Sequence, residues 1–309
     1  MSAPSIPSWP NYSKARVSKR TKRSSSVPTL YHGNHPPYEP ITTNIETPPE
    51  LQNLQQRVIQ RVPIPSSEYL KSSHFKFKEG SEVASLELLQ KTMNYINDPS
   101  LPLVAIDCES YEFDHEKITE IGIAILQKSD SAVPQIDTFH IIIEENIHKR
   151  SHKYVPDHKD KYMNGTSFIM SEVNAVKFVN KVFDKYLFNL SGVMIGHSIS
   201  SEYKYFKKLG IDLPKDLKTI DTLKLHGISR SNGGSLWGCL RLLNIPYSFL
   251  HNAANDAYYT LLVALSYSDP SIRILKNLDV YGTSPFFGKN SSKETTNFVK
   301  VNDINLIDI

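Results

Sequence analysis

The stretch LVAIDCES, Leu103–Ser110, decides the fold. Apolar residues lead into two acids separated by a single residue. The two-residue period of a strand puts Asp107 and Glu109 on one face and Cys108 on the other. Two carboxylates at the end of an apolar strand are costly to bury unless a cation pairs with them; the plain alternative is a strand end whose acids reach water.

Working outward, two further strand-like runs follow, KITEIGIAIL from Lys117 and QIDTFHIII from Gln135, with the turn-like connections of an antiparallel meander. Upstream, SEVASLELLQKTMNYI has apolar residues at helical spacing behind Ser81, a cap candidate. Downstream, a loop rich in His and Lys (His148 to Lys161) reads as solvated, with contact to a nucleic-acid strand as the alternative. It leads into the amphipathic helix SEVNAVKFVNKVFDKYLF. Then GVMIGHS reads as a buried strand, SSEYKYFKKL as a helix, KTIDTLKL as a strand, SLWGCLRLL as a helix and NDAYYTLLVALSYS as a closing helix. Three antiparallel strands followed by β-α-β-α predict an α/β fold, a mixed sheet with helices on both faces.

The ends differ from this body. Residues 1–66 are rich in Pro, Ser and Thr and read as a disordered tail, because so little apolar surface cannot offset the entropy of ordering. The folded domain is expected over 67–281. The segment 282–309 is expected to be a tail, with FVKVNDINLIDI able to add an edge strand. Up to Pro40 six Lys/Arg face the single acid Glu39, about +5; against a total of +3, the rest is about −2. A near-neutral body is not a broad basic slab for gripping duplex DNA. The run SKARVSKRTKR reads as a solvated basic tail or as a nuclear-localisation or RNA-contacting patch. Pro4, Pro7 and Pro10 oppose the amphipathic helix of a mitochondrial presequence. Two cysteines, Cys108 and Cys239, cannot build a disulfide framework and suit a reducing compartment. No apolar run reaches the roughly 18 residues that cross a bilayer. The expectation is therefore an intracellular protein without membrane contact, in the nucleus or cytoplasm rather than the mitochondrion.

Two further clusters carry ionisable groups. GHSISSEYKYFKKLG ends a strand at Gly196 and His197 and places Glu202 in the first turn of a helix. HNAANDAYYT places His251 in a loop and Asp256 at the start of the closing helix. Each is ordinary alone, since acids favour helix N-termini and loop histidines commonly satisfy backbone groups. The order in the chain gives them meaning together. Strand-borne DxE, a helix-borne acid after Gly-His, and His-x4-Asp opening the last helix resemble the DEDD superfamily of 3′–5′ exonucleases, in its histidine-containing DEDDh branch, over roughly Leu103 to Tyr267. The wording GHSISSE and HNAANDAYYT looks most like the fungal "good for full DEAD-box protein activity" group.

That resemblance implies a ribonuclease H-like fold and a two-metal site holding Mg²⁺ or Mn²⁺. Asp107 would bridge both ions, Glu109 and Asp256 would complete the shell of the ion that holds the attacking water, and Glu202 would sit near the second. His251 would be the general base. It also implies single-stranded nucleic acid, RNA or DNA, as the partner, with RNA-processing or export partners through the fungal group. Ser110 and Tyr111 would contact the 3′-terminal nucleotide, with Tyr111 either stacking on its base or standing as a rim residue without a ligand. Ile199 either lines the same pocket or belongs to the core. One position departs from the pattern: Glu202 stands where most of the superfamily has Asp, and a misplacement near 1 Å can cost roughly 100-fold in rate. The second expectation is accordingly an RNA-associated adaptor that keeps the fold and has lost most turnover.

Overall fold

The structure, a computed structural model, describes residues 49–127 and 134–286. Its centre is the expected meander: β1 (Leu103–Tyr111), β2 (Asp114–Leu126) and β3 (Ile136–Ile143), paired antiparallel in sequence order. The sheet then grows at both edges with parallel strands. β4 (Ser167–Met170) runs beside β3, β5 (Val193–Gly196) beside β1 and β6 (Thr219–Asp221) beside β5, giving the order β4-β3-β2-β1-β5-β6. This is the mixed α/β sheet, three antiparallel strands followed by parallel ones, that the sequence leads one to expect. β4 was not expected from the sequence; its Phe168 and Ile169 are exposed, so its pattern lacks the buried alternation that marks a strand.

Both faces are covered. On the face of Leu103 and Ala105 lie α6 (Thr222–Ser229), α7 (Leu236–Leu243) and α8 (Ala253–Tyr267), contributing Leu225, Leu240, Ala257 and Leu261 to one core cluster. On the face of Val104, Ile106 and Cys108 lie α4 (Glu172–Val182), its π-helical continuation Phe183–Asn189 and α5 (Ser200–Lys208). Strand alternation thus sends Asp107 and Glu109 toward α8. α8 comes very close at β2: a Cβ on Gly122 would stand 1.9 Å from the carbonyl oxygen of Ala253, so only glycine admits the helix start here. Gly122 pairs with Asp107 across the ladder, so the same contact sets α8 over the acids.

Three expectations are corrected. KTIDTLKL is not one strand: Asp221 ends β6 and caps α6, its carboxylate accepting from Leu223 N at 3.0 Å. Ser81 stands at the N-cap of α3 (Glu82–Asn97), but its hydroxyl donates to Lys78 O. The chain is also not without structure as far as Ser66. α1 (Pro49–Ile59) and α2 (Ser66–Tyr69) are helical, and Leu54, Ile64 and Tyr69 are buried in a third cluster with Leu89, Met93 and Ile274 of α9 (Pro270–Leu275). A helix with few apolar residues still packs when one of them, Leu54, faces the body. The basic run and FVKVNDINLIDI lie outside the described residues. Among the described residues no helix is long and apolar enough to cross a membrane.

Candidate functional site

β1 delivers Asp107 and Glu109, and the ladder adds an acid that the motifs do not contain. Glu120 of β2 stands directly across from Glu109, and His140 of β3 directly across from Gly122, on the same face. Like charges in directly opposed positions repel. Here His140 Nε2 lies 2.9 Å from Glu120 Oε2, while His140 Nδ1 lies 2.7 Å from Ser167 Oγ, both side chains being buried. Ala253 N at the start of α8 also donates weakly to Glu120, at 3.4 Å.

α8 delivers Asp256 from its first turn. Asn252 caps the helix, accepting from Asn255 N. Ahead of it His251 adopts φ +66°, a left-handed conformation uncommon outside glycine. This conformation aims the His251 backbone N–H at Asp256 Oδ2, 2.9 Å away, and sets its ring Nδ1 3.8 Å from Glu109 Oε1. Glu109, His251 and Asp256 each offer a ligand atom within 4.8 Å of the others. Asp107 and Glu202 stand outside that triplet, yet their charges act on it.

The electrostatics are those of acids crowded out of water. Burial, then the charge of Glu120, pushes Asp107 up to about 7. Burial, then Asp107 and Asp256, raises Glu109 well above the carboxylate range. Burial and Asp107 raise Asp256, against the opposing His251 N–H. Glu202, on the first turn of α5 and 3 % exposed, is pushed up to about 8 by burial and by Asp107. His251 is shifted down, chiefly by burial and then by His158. Asp256 Oδ1 and Glu202 Oε2 are buried and have no hydrogen-bond partner. Unpartnered buried carboxylate oxygens beside other raised acids suit a divalent cation, which would answer both deficits at once. The donor set fits a metal.

The remaining expected residues divide. Tyr111 lies at the rim, edge-on to Phe113 and with Lys149 Nζ 5.4 Å from its ring centre. Ser110 lines the cleft, and its hydroxyl bridges His115 Nδ1 and Tyr205 OH at 3.0 and 3.1 Å. Ile199 belongs to the core and not to the cleft: it is 8 % exposed and packs against Gly196, where an added Cβ would meet it at 3.0 Å. His197 is also structural, shifted down by burial, with Nδ1 2.9 Å from Thr222 Oγ1.

The loop expected to be solvated is instead fastened over the site. Asn252 donates to the carbonyls of His158 and Lys159, Asn255 donates to that of Lys161, and His158 Nδ1 lies 2.6 Å from Leu250 O. Arg150 braces the loop internally against Asp157 and Asp160. Ser151, Val155 and Asp157 consequently line one cleft with Glu109, Glu120 and His251. Lys159 is buried at its edge, its ammonium on Lys149 O at 2.9 Å. Glu120, His140 and Lys159 were missed because their nearness depends on strand register and loop anchoring. The signal for Glu120 and His140 was an ionisable residue inside each of two apolar strand runs.

Residues 102–267 match the DEDDh family described as DNA polymerase III subunit epsilon-like, C-terminal domain. The chain is 29 % identical over 242 residues to the Saccharomyces cerevisiae "Good for full DBP5 activity protein 2", covering 67 % of this chain and 43 % of that protein. It is 32 % identical over 220 residues to an uncharacterized protein of the same yeast, covering 62 % of this chain and 46 % of the relative. The chain thus spans less than half the length of these two curated relatives. An uncharacterized nucleolar protein of Schizosaccharomyces pombe is 35 % identical over 174 residues, covering 53 % of this chain and 68 % of that one. Among solved structures, the nuclease domain of 3′hExo, a DEDDh family member bound to rAMP, aligns at 14 % identity and a TM-score of 0.37, over 57 % of this chain and 92 % of that one.

Proposed function

This chain belongs to the DEDDh family, and on that premise we propose that it is a metal-dependent 3′–5′ exonuclease acting on single-stranded nucleic-acid ends. One observation carries the reading: carboxylates from β1, α5 and α8 crowd together with raised proton affinity, and two of their buried oxygens have no partner. Asp107, Glu109, Glu202 and Asp256 would hold two ions, and their hard oxygens suit Mg²⁺ or Mn²⁺. Such ions, when bound, stabilise the entering and departing oxygens of a phosphodiester and lower the pKa of water.

The protein's own groups do the rest. Burial keeps the His251 imidazole unprotonated near neutral pH, ready to accept the proton of the attacking water. Its position is set by the left-handed backbone and by the N–H that Asp256 accepts. Glu120 and His140 position: the pair holds the β2 side of the cleft in register and keeps the carboxylate facing Glu109 hydrogen-bonded. Nuclear or cytoplasmic location is part of the proposal, supported by the basic N-terminal run and by a relative named as nucleolar.

End-labelled RNA and DNA oligomers incubated with Mg²⁺, Mn²⁺ or EDTA test this reading and choose the sugar. The wild type shortens them from the 3′ end only with metal, and Asp107→Asn or Asp256→Asn slows this by at least about 100-fold, the usual effect of losing a group that stabilises transition-state charge. Variants that digest as fast as wild type remove the site assignment. The second reading, an RNA-associated adaptor, is favoured by one observation, the longer Glu202 at the usual Asp position. A wild type inert with both metals that still binds RNA would establish it.

A further inference from the structure

The β1–β2 hairpin and the loop over the cleft together expose a cluster of aromatic rings that continues outward from Tyr111, the one ring already expected at the substrate. The Tyr111 and Phe113 rings are 5.3 Å apart at 64°, and those of Phe113 and Tyr154 are 6.0 Å apart at 53°. Phe113 is 56 % exposed and Tyr154 is 67 % exposed. Cations stand over the rings: Lys149 Nζ is 5.4 Å from Tyr111, and Lys153 Nζ is 5.7 Å from Phe113 and 4.9 Å from Tyr154.

This arrangement is built, since its halves come from segments some forty residues apart and one carboxylate locks them together. Glu112, between Tyr111 and Phe113, accepts the backbone N–H groups of His152, Lys153 and Tyr154 at 2.9, 3.0 and 2.8 Å. The carboxylate of Glu112 is thereby engaged, nearby Glu116 is paired with Lys208 at 2.6 Å, and exposed Asp114 accepts the Glu116 N–H at 3.1 Å in the turn. The cluster starts at the rim of the cleft, where Ser110 and Lys149 stand beside Glu109 and His251.

We propose that Phe113 and Tyr154, with Lys149 and Lys153, extend the expected Tyr111 contact into a stacking platform for the bases of a single strand whose end lies in the carboxylate cleft. Single strands are held by exposed rings that take successive base faces, interleaved with cations that take the phosphates. A protein partner would use the rings but not the lysines placed above each of them. The platform rests on the nuclease reading only for which end of the strand enters the cleft; binding itself does not depend on hydrolysis.

The test measures fluorescence anisotropy of the full chain with labelled ten-nucleotide oligo(U) and oligo(dT), in EDTA so that nothing is cut. Tyr154→Ala and Phe113→Ala each weaken binding about 10-fold, within the usual range for a lost base stack. Phe113→Trp keeps affinity, and its indole emission is quenched on binding. Lys153→Gln flattens the salt dependence. Should Phe113→Ala lose its cooperative melt, Tyr154→Ala and the Phe113→Trp quench decide alone. Unchanged ten-nucleotide affinity in folded variants, or no binding by wild type, overturns the platform and leaves the rings to a protein partner. Ring-dependent binding without metal-dependent cutting sinks the nuclease reading and keeps the platform.

Discussion

Two buried clusters of ionisable groups, at opposite ends of the domain's logic, show how the same burial serves two purposes. Beneath α9, Arg273 is fully buried. Its guanidinium donates to Asp279 Oδ1 at 2.8 Å, to the carbonyls of Tyr267 and Leu278, and to Tyr69 OH. Tyr69 OH and His74 Nε2 reach the other Asp279 oxygen at 2.5 and 2.9 Å. Burial alone would raise Asp279, but the charge of Arg273 and these hydrogen bonds outweigh it and hold its carboxyl below the ordinary value. In the cleft, Glu202 and Asp256 are buried, Asp107 and Glu109 are half-buried, and all four are raised. A closed cluster answers its own charges and stabilises; an open one is left for something that arrives.

The comparison breaks most visibly by opening the closed cluster. Arg273→Ala leaves Asp279 buried without its cation and should cost about 3–5 kcal/mol, the usual penalty for removing one partner of a buried pair. Urea unfolding measures it. A loss under about 1 kcal/mol would mean that water reaches Asp279 and that the two clusters are not so different.

The second prediction concerns pH without metal. The folded-state values of Asp107 and Glu202, about 7 and about 8, lie above their ordinary 3.8 and 4.5. Folding therefore favours their protonated forms. The unfolded chain gives up these protons first as pH rises, so stability is full below about 4, falls between about 4 and 8, and is level above. In EDTA the wild type should lose about 1–2 kcal/mol between pH 6 and pH 8.5, allowing for solvent at the cleft mouth. Mn²⁺ should abolish that fall, because it replaces the protons. Asp107→Asn should flatten the EDTA profile; equal slopes for variant and wild type would show that the acids are not crowded as described.

How much of this could be read from residues follows the range of the interactions. Asp107 and Glu109 share a face because alternation is local, and Asp256 follows His251 into α8 because both lie within one turn of a cap. The sheet order was half legible: the meander is sequential, whereas β4 pairs through a long excursion and shows no buried period. Glu120 faces Glu109 only through an antiparallel register that no local pattern states. The loop above the cleft looked solvated by composition, and it is held by Asn252 and Asn255, whose side chains also read as ordinary capping residues. α1 was lost for a similar reason, since it has one buried residue, Leu54, and its other anchors are half-buried Val58 and the contacts of Arg57 with Glu68 and of Glu50 with Ser73. Removing everything to Ser66 would therefore strip Leu54 and Ile64 from the third core cluster, and a cut before Pro49 is the one that spares it.

The smallest effect should come from shortening Glu202, and it sharpens the open side of the comparison. Glu202 rises from the first turn of α5, whose Phe206, with Leu209 at its C-cap, is anchored in the core with Phe183, so the helix is not free to move inward. From there the carboxylate is 3 % exposed, feels Asp107, and keeps Oε2 unpartnered. Under the proposed nuclease reading, its extra methylene would span the distance that this helix sets. Glu202→Asp would draw the carboxylate back by about one bond length, and since a misplacement near 1 Å costs up to about 100-fold, activity should fall roughly 10-fold. The loss should be smaller with Mn²⁺, which tolerates looser coordination than Mg²⁺. Glu202→Gln keeps the reach and removes the charge, so it should fall further than Glu202→Asp under either metal. A faster Glu202→Asp would show instead that glutamate is the defect in this site, and that α5 sits where an aspartate was meant to be.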